Sequence, residues 1–231
     1  MRKSVKGVLI GLMVTGLLVL VALPLAVPPL VEGIVRDKLR SFGLAHPSVR
    51  MNLGYCWRNG PGLAGKISVR LLPDWRVTAE FGASCCEWSA AVRMPETTFS
   101  EKDPVLQVLL ERHPVTAVSN LTFSGAIALD AKAERTFRTP VPVWSAKLPI
   151  RNLSATFLMA DKPYAIEGFS VTPAASGLAD HIDIAPMLPR AKSISAAGFD
   201  LGNFHASVRA TEKALLVTEA AAGFCGGQVN L

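Results

Sequence analysis

The chain has 231 residues, of which 50% are hydrophobic and only 18% are charged, whereas about 25% is typical of soluble domains. Three of its 24 basic residues precede a long apolar run, so the remainder carries 21 basic residues against 18 acidic ones. No basic segment with interleaved aromatic residues follows, which argues against nucleic acid as a partner.

Residues 7–31 contain no charged side chain and exceed the apolar core of a signal peptide, which is roughly 7–15 residues long. As a helix they would span the ~30 Å hydrocarbon core of a bilayer. A cleaved signal peptide is the alternative, but Pro24 and Pro28 crowd the place where cleavage would occur. We therefore predict a single-pass transmembrane helix at 7–31 and a cytoplasmic basic flank at 1–6. The positive-inside rule then places residues 32–231 on the far side of the membrane.

A short amphipathic helix and a turn are predicted at residues 32–47. Apolar residues recur there at helical spacing, with charged residues opposite them, and Gly43 and Pro47 end the helix. The apolar stripe either lies on the membrane surface or covers the end of the following domain. It consists of Ile34, Val35, Leu39 and Phe42.

From Val49 onward the apolar residues alternate with polar ones, which is typical of strands with one dry face and one wet face. We predict about eleven strands over residues 48–231, interrupted by a short helix within 101–114. The proline-containing segment 138–149 is predicted to be a long loop or an edge strand. Spacings of roughly 10–15 residues between strands favour antiparallel neighbours joined by short connections.

The predicted fold class is therefore mainly β, with an N-terminal transmembrane helix, an antiparallel sheet and one or two short helices. Two arrangements of such a sheet are possible. A sandwich buries the apolar face between two layers, whereas an open, curved sheet leaves that face as a trough. On the alternation alone, the closed sandwich is preferred.

Candidate chemistry is sparse. The four histidines are scattered, and no motif of a nucleophile elbow, phosphate-binding loop, zinc protease or dinucleotide site is present. We therefore predict no catalytic residues, no metal and no cofactor, and a protein that is not an enzyme. Four cysteines allow three disulfide pairings, which the sequence does not distinguish from buried free thiols. They are Cys56, Cys85, Cys86 and Cys225.

The end of the chain, residues 193–231, reads SISAAGFDLGNFHASVRATEKALLVTEAAAGFCGGQVNL. Its succession of strands, closed by Gly226 and Gly227 before Val229, resembles the AsmA-like proteins of the Gram-negative envelope. This is the AsmA, TamB and YdbH group, and the likeness is greatest to the YdbH branch. The order of anchor, short helix and strands agrees more loosely along the whole chain. The glycine pair is interpreted as a bulge or tight bend in the last strand.

The resemblance implies an inner-membrane-anchored protein whose open, periplasmic β-groove carries phospholipid between the inner and outer membranes. It favours the trough over the sandwich, with bilayer and phospholipid as partners and the helix 32–42 as the entry. Functional residues would be the apolar positions that line the groove. By parity these are Met51, Leu53, Ile67, Val69, Val77, Phe81, Leu121, Phe123, Ile127, Leu129, Phe157 and Val208.

Eleven strands at about 4.8 Å spacing give a groove of only ~50 Å, which is too short to cross a periplasm. We therefore expect the groove to be incomplete at its C-terminal edge. Another envelope protein or a C-terminal continuation would complete it. The alternative function is a non-catalytic envelope assembly or secretion scaffold built on a closed β-sandwich.

Overall fold

The computed structural model describes residues 24–41, 47–57, 61–71, 74–84, 87–103, 106–107, 110, 119–178, 181–211 and 214–230. One helix, α1 (24–41), precedes fourteen antiparallel strands that form a single sheet. The strands are β1 (Ser48–Trp57), β2 (Pro61–Arg70), β3 (Arg76–Ser84), β4 (Trp88–Ser100), β5 (Ser119–Arg135), β6 (Val143–Lys147), β7 (Ile150–Met159), β8 (Lys162–Val171), β9 (Ala174–Leu178), β10 (His181–Ile184), β11 (Arg190–Ala196), β12 (Phe199–Ala210), β13 (Leu215–Phe224) and β14 (Gly227–Asn230).

Helix α1 runs without a break through the predicted boundary between residues 31 and 32. It therefore joins the end of the predicted membrane span to the predicted amphipathic helix. Within the described ranges, no helix is both long and apolar enough to span a bilayer. The flank at 1–6 and most of the predicted span lie outside those ranges. Of the predicted helix at 101–114, residues 101–103, 106–107 and 110 are described; Leu106, Gln107 and Leu110 are helical, whereas residues 101–103 are not.

The sheet runs in the order β1-β2-β3-β4-β5-β7-β8-β11-β12-β13-β14, and a second path leads from β5 through β6 and β9 to β10. Three positions in this series hold two strands end to end, namely β6 with β7, β8 with β9, and β10 with β11. A proline interrupts each of these pairs, so eleven positions carry fourteen strands. The prediction of a mainly-β, open, antiparallel sheet is confirmed, and the proline interruptions explain the larger number of strands.

The interruptions lie beside one another and form a line across the sheet. The carbonyl of Pro149 accepts a hydrogen bond from the Ala128 N–H at 3.0 Å, and the carbonyl of Pro173 accepts one from the Leu148 N–H at 2.9 Å. Proline has no N–H to donate, so at these points each proline accepts a hydrogen bond from the neighbouring strand but donates none. In β4, a register shift after Met94 continues the same line.

The segment between residues 138 and 149 is neither a loop throughout nor an edge, contrary to the prediction. Its strand β6 is paired on both sides, with β5 and with β9. The prolines at 140, 142 and 149 fall outside β6, so every residue of the strand keeps its N–H. The presence of prolines in this stretch was therefore misleading about strand pairing.

Three hairpins turn through two residues that have positive φ. The turns are Ala160-Asp161, Ala197-Gly198 and Cys225-Gly226, with φ between 49° and 95°. Such turns match the twist of antiparallel strands. The interpretation of the terminal glycine pair as a bulge or bend within one strand is therefore wrong, because Cys225 and Gly226 reverse the chain and create the hairpin of β13 and β14.

The sheet is a single open layer. Among the described residues, no large side chain is less than 2% exposed, and the buried apolar residues are Val49, Met51 and six alanines. A second layer would bury the large apolar side chains, so the closed sandwich is not the fold of the described residues.

Candidate functional site

One face of the sheet is apolar from β1 to β14. In antiparallel sheets, residues directly opposite each other point to the same side. The register therefore follows this face from strand to strand. One uninterrupted apolar row crosses eight strands and consists of Met51, Ile67, Ala79, Val92, Ala131, Ala146, Ala175 and Ile184. A second row consists of Phe123, Ala155, Ile166, Ile194 and Leu201.

The structure places all twelve predicted groove-lining residues on this apolar face, and none of them is more than half-exposed. Their role in binding lipid stays a prediction. They belong to six strands: Met51 and Leu53 to β1, Ile67 and Val69 to β2, Val77 and Phe81 to β3, Leu121, Phe123, Ile127 and Leu129 to β5, Phe157 to β7, and Val208 to β12.

Parity counting missed much of the same face beyond β5, because bulges change the alternation. Asn152 and Asn203 have φ of 50° and 49°, and Gly168 has φ of 64°; each lies at a register shift. As a result, Ile166 and Phe169 share the apolar face although they are three residues apart. Asparagine and glycine are the residues that most readily adopt positive φ, and they are the sequence signal for such bulges.

Aromatic rings lie over glycines at three places on the apolar face. Phe81 is opposite Gly65, Phe99 is opposite Gly125, and Trp144 is opposite Gly177. At each glycine a Cβ atom would meet the ring of the aromatic residue. The missing side chain lets the ring lie down on the neighbouring strand. At these three places the aromatic rings therefore lie close to the backbone of the sheet and do not project far from the apolar face.

An apolar pocket of about 320 Å³ lies on this face near the C-terminal hairpin. The rings of Phe199 and Phe224, whose centroids are 6.5 Å apart, form part of its wall. Phe199 is 64% exposed, so the pocket opens to solvent. Its lining consists of Ala196, Phe199, Leu201, Phe204, Ala221, Ala222, Phe224 and Val229.

The opposite face is polar and carries cross-strand ion pairs. Lys66 and Glu80 are 2.7 Å apart on β2 and β3, and Lys192 and Glu167 are 2.9 Å apart on β11 and β8. The hydrogen bond from Lys66 lowers the pKa of Glu80, and the one from Lys192 lowers the pKa of Glu167. These side chains are exposed, so the pairs add little to stability. Their effect is to define which face stays in water.

Helix α1 meets the sheet at the edge strand β1. The carboxylate of Glu32 accepts a hydrogen bond from the backbone N–H of Met51 at 2.6 Å. Of the predicted entry residues, Val35 and Leu39 are half-buried and Ile34 is 69% exposed, whereas Phe42 lies outside the described residues. The apolar stripe of α1 is therefore divided between the protein and solvent.

The described part of the chain contains no group of three or more His, Cys, Asp or Glu side chains that could hold a metal ion. Cys56, on the polar face of β1, and Cys225, in the terminal turn, are free thiols. Cys85 and Cys86 lie outside the described residues.

Comparisons with known proteins do not add a function. No protein-family model, curated protein or solved structure matches the chain. The AsmA-like resemblance thus rests on the sequence features alone, and any functional assignment depends on the geometry of the sheet.

Proposed function

We propose that this protein is an inner-membrane-anchored, periplasmic β-groove protein that contributes to phospholipid transport between the inner and outer membranes. The observation that carries the proposal is the apolar face, which continues across eleven strand positions and which no second layer of described residues covers. The anchor is the predicted transmembrane helix at 7–31, and the phospholipid is the proposed cargo.

The surface suits acyl chains because it offers them contact without requiring polar partners. Each CH₂ group that leaves water contributes about 0.8 kcal/mol, so a chain of a dozen or more groups gains substantially from even partial contact. Rings that lie flat over Gly65, Gly125 and Gly177 leave room above the floor. Polar head groups would stay in solvent, and movement along such a floor requires no chemical step.

A scaffold in envelope assembly is a second candidate. The observation that favours it is the outer side of β13, where residues 215–220 have no described partner strand. Unpaired edges of this kind accept strands from other chains. This function would need the edge and not the apolar face. Mutations at the edge and mutations on the apolar face therefore distinguish the scaffold function from lipid transport.

Site-specific photocrosslinking tests the lipid proposal. A photoreactive amino acid at Phe123, on the apolar face, should form adducts with phospholipid in intact cells. The matched control is the same amino acid at Ser124, the next residue, which is exposed on the polar face. Equal lipid adducts at both positions, or none at Phe123, would contradict lipid carriage.

A charge on the floor provides an independent test. Ile127→Arg places a cation in the middle of the apolar face, where Ile127 is half-buried. Because the layer is open, the side chain can reach water, so the variant should fold while phospholipid adducts at Phe123 decrease at least several-fold. Ser124→Arg adds the same charge to the polar face and should leave the adducts unchanged. Normal adducts in folded Ile127→Arg would argue for the scaffold.

A further inference from the structure

Three arginines lie together at one end of the polar face, at the start of β1. Arg70 of β2 is directly opposite Arg76 of β3, and Arg50 lies one row further along on β1. All three are exposed. Side chains directly opposite each other have Cβ atoms about 5 Å apart, and diagonal neighbours about 7–8 Å. The three guanidinium groups can therefore reach one common ligand.

Two serines complete this arginine–serine cluster, which comprises Ser48, Arg50, Ser68, Arg70 and Arg76. Ser48 is opposite Arg70, and Ser68 is opposite Arg50. Hydroxyl and guanidinium groups thus alternate on two neighbouring strands. Among the described residues, neither serine hydroxyl has a hydrogen-bond partner and none of the three arginines has an ion pair.

The cluster departs from the charge pattern of the rest of the polar face. Elsewhere, opposite charges face each other: Lys66 faces Glu80, and Arg93 faces Asp130. Like charges directly opposite each other destabilise a sheet. The pairing of Arg70 with Arg76 therefore carries a cost that no described neighbour offsets.

Nearby carboxylates do not neutralise the cluster. Glu80 is held by Lys66, and Glu32 of α1 accepts the N–H of Met51. Asp74, two residues before Arg76, is exposed and forms no ion pair with a described residue. Glu32 keeps its charge, because an N–H is a neutral donor, so two carboxylates without a described ion pair stand against three guanidinium groups and the surface stays net positive.

We propose that the arginine–serine cluster binds a phosphate group. Guanidinium groups form paired hydrogen bonds to phosphate oxygens, and this geometry makes arginine the preferred residue for such recognition. The serine hydroxyls supply two further donors. The site lies on the face opposite the apolar floor, so it goes beyond lipid carriage and does not depend on it. The phosphate belongs either to a free anion or to a lipid head group.

The test uses the full chain in phosphatidylcholine nanodiscs, with one arm for each source. Isothermal titration with inorganic pyrophosphate measures binding of a free anion. Co-flotation with phosphatidylglycerol vesicles, compared with phosphatidylcholine vesicles, measures binding of an anionic head group. We expect saturable, salt-sensitive binding in at least one arm. The arm that responds identifies the source of the phosphate.

The double variant Arg70→Gln/Arg76→Gln should weaken this binding by roughly tenfold or more, because it removes two charge-assisted contacts. Arg209→Gln is the matched control, since Arg209 is exposed on β12, away from the cluster. The double variant should melt no lower than the wild type, because it relieves a like-charge contact. Absence of binding in both arms, or an equal loss in Arg209→Gln, would overturn the proposal.

Discussion

The two edges of the sheet, at β1 and at the exposed part of β13, are protected differently. At β1, helix α1 contacts the outer side, where Glu32 accepts the Met51 N–H at 2.6 Å. Val49 and Met51 are only 2% and 8% exposed, although they lie in an edge strand. At β13, the hairpin partner β14 reaches only to Ala221. Leu215, Leu216 and Val217 are 68%, 49% and 63% exposed.

The difference suggests that the β1 edge is closed within this chain, whereas the β13 edge is available for a partner. Unpaired edges are normally blunted with charges, prolines or covering elements. The three consecutive apolar residues of β13 do the reverse, because they offer apolar contacts on both faces of the strand. That another envelope protein or a continuation of the chain extends the groove stays a prediction.

The two regions also differ in how aromatic residues pack. In β2 and β3, Phe81 lies down over Gly65, and the ladder from Ser48 to Ser84 has no register shift. In β12 and β13, two register shifts occur and Phe199 stands 64% exposed beside the pocket. We therefore expect substitutions in the first region to affect stability and those in the second to affect binding and association.

The largest loss of stability should come from Gly65→Ala. The added Cβ would clash with the ring of Phe81 and would lie 3.0 Å from the carbonyl oxygen of Asn52. Overpacking of this kind costs about 1–3 kcal/mol. Gly54→Ala is the matched control on the adjacent strand, since its Cβ meets nothing within 4 Å. Its free energy of unfolding should stay within about 0.5 kcal/mol of the wild-type value. Chemical unfolding followed by circular dichroism measures both, and equal values would refute the packing difference.

The next effect concerns the covered edge. Glu32→Ala removes the carboxylate that accepts the Met51 N–H, and a hydrogen bond to a charged group contributes about 1.5–3 kcal/mol. Since this bond is only partly buried, we expect the free energy of unfolding to fall by about 1 kcal/mol. The amide hydrogen of Met51 should also exchange faster. Asp37→Ala is the control, because Asp37 is exposed on the same helix and its ion pair with Arg40, at 3.9 Å, is exposed as well. Unchanged exchange at Met51 would show that α1 does not protect this edge.

A substitution at the open edge of β13 should change association with other chains and leave folding stability unchanged. Val217→Lys places a charge on a strand edge that is 63% exposed, and such charges discourage edge-to-edge pairing. Self-association or partner capture, measured by sedimentation velocity, should decrease several-fold, with stability within about 0.5 kcal/mol. Thr122→Lys adds the same charge to an exposed position in the middle of the sheet. An equal decrease in Thr122→Lys would attribute the effect to net charge and not to the edge.

The sequence predicted the first region better than the second, for physical reasons. Alternation from Val49 to Phe81 assigns the faces correctly because these strands pair without a bulge. Beyond β5, positive-φ residues such as Asn152 and Gly168 change the parity, and counting by twos then fails. The terminal hairpin was missed because a two-residue turn at Cys225 and Gly226 is short enough to be mistaken for a bulge. The edge contact of Glu32 is long-range, and no local pattern encodes it.

The smallest effect should be the pH dependence of two surface ion pairs, one in the first region, on β2 and β3, and one further along the sheet, on β8 and β11. The hydrogen bond from Lys66 lowers the pKa of Glu80, and that from Lys192 lowers the pKa of Glu167. A lowered pKa means that the stabilisation is present above the unfolded value, about 4.3, and is lost as the pH falls through the folded value.

Melting temperatures measured from about pH 5 to pH 3 should therefore fall slightly less steeply in Glu80→Gln and in Glu167→Gln than in the wild type. High salt should remove the difference, because exposed pairs are screened. Both pairs lie on the polar face, and the same small slope change is expected from each. A change confined to Glu80→Gln would mean that only the first region unfolds in the measured transition, which would separate its stability from that of β8 and β11.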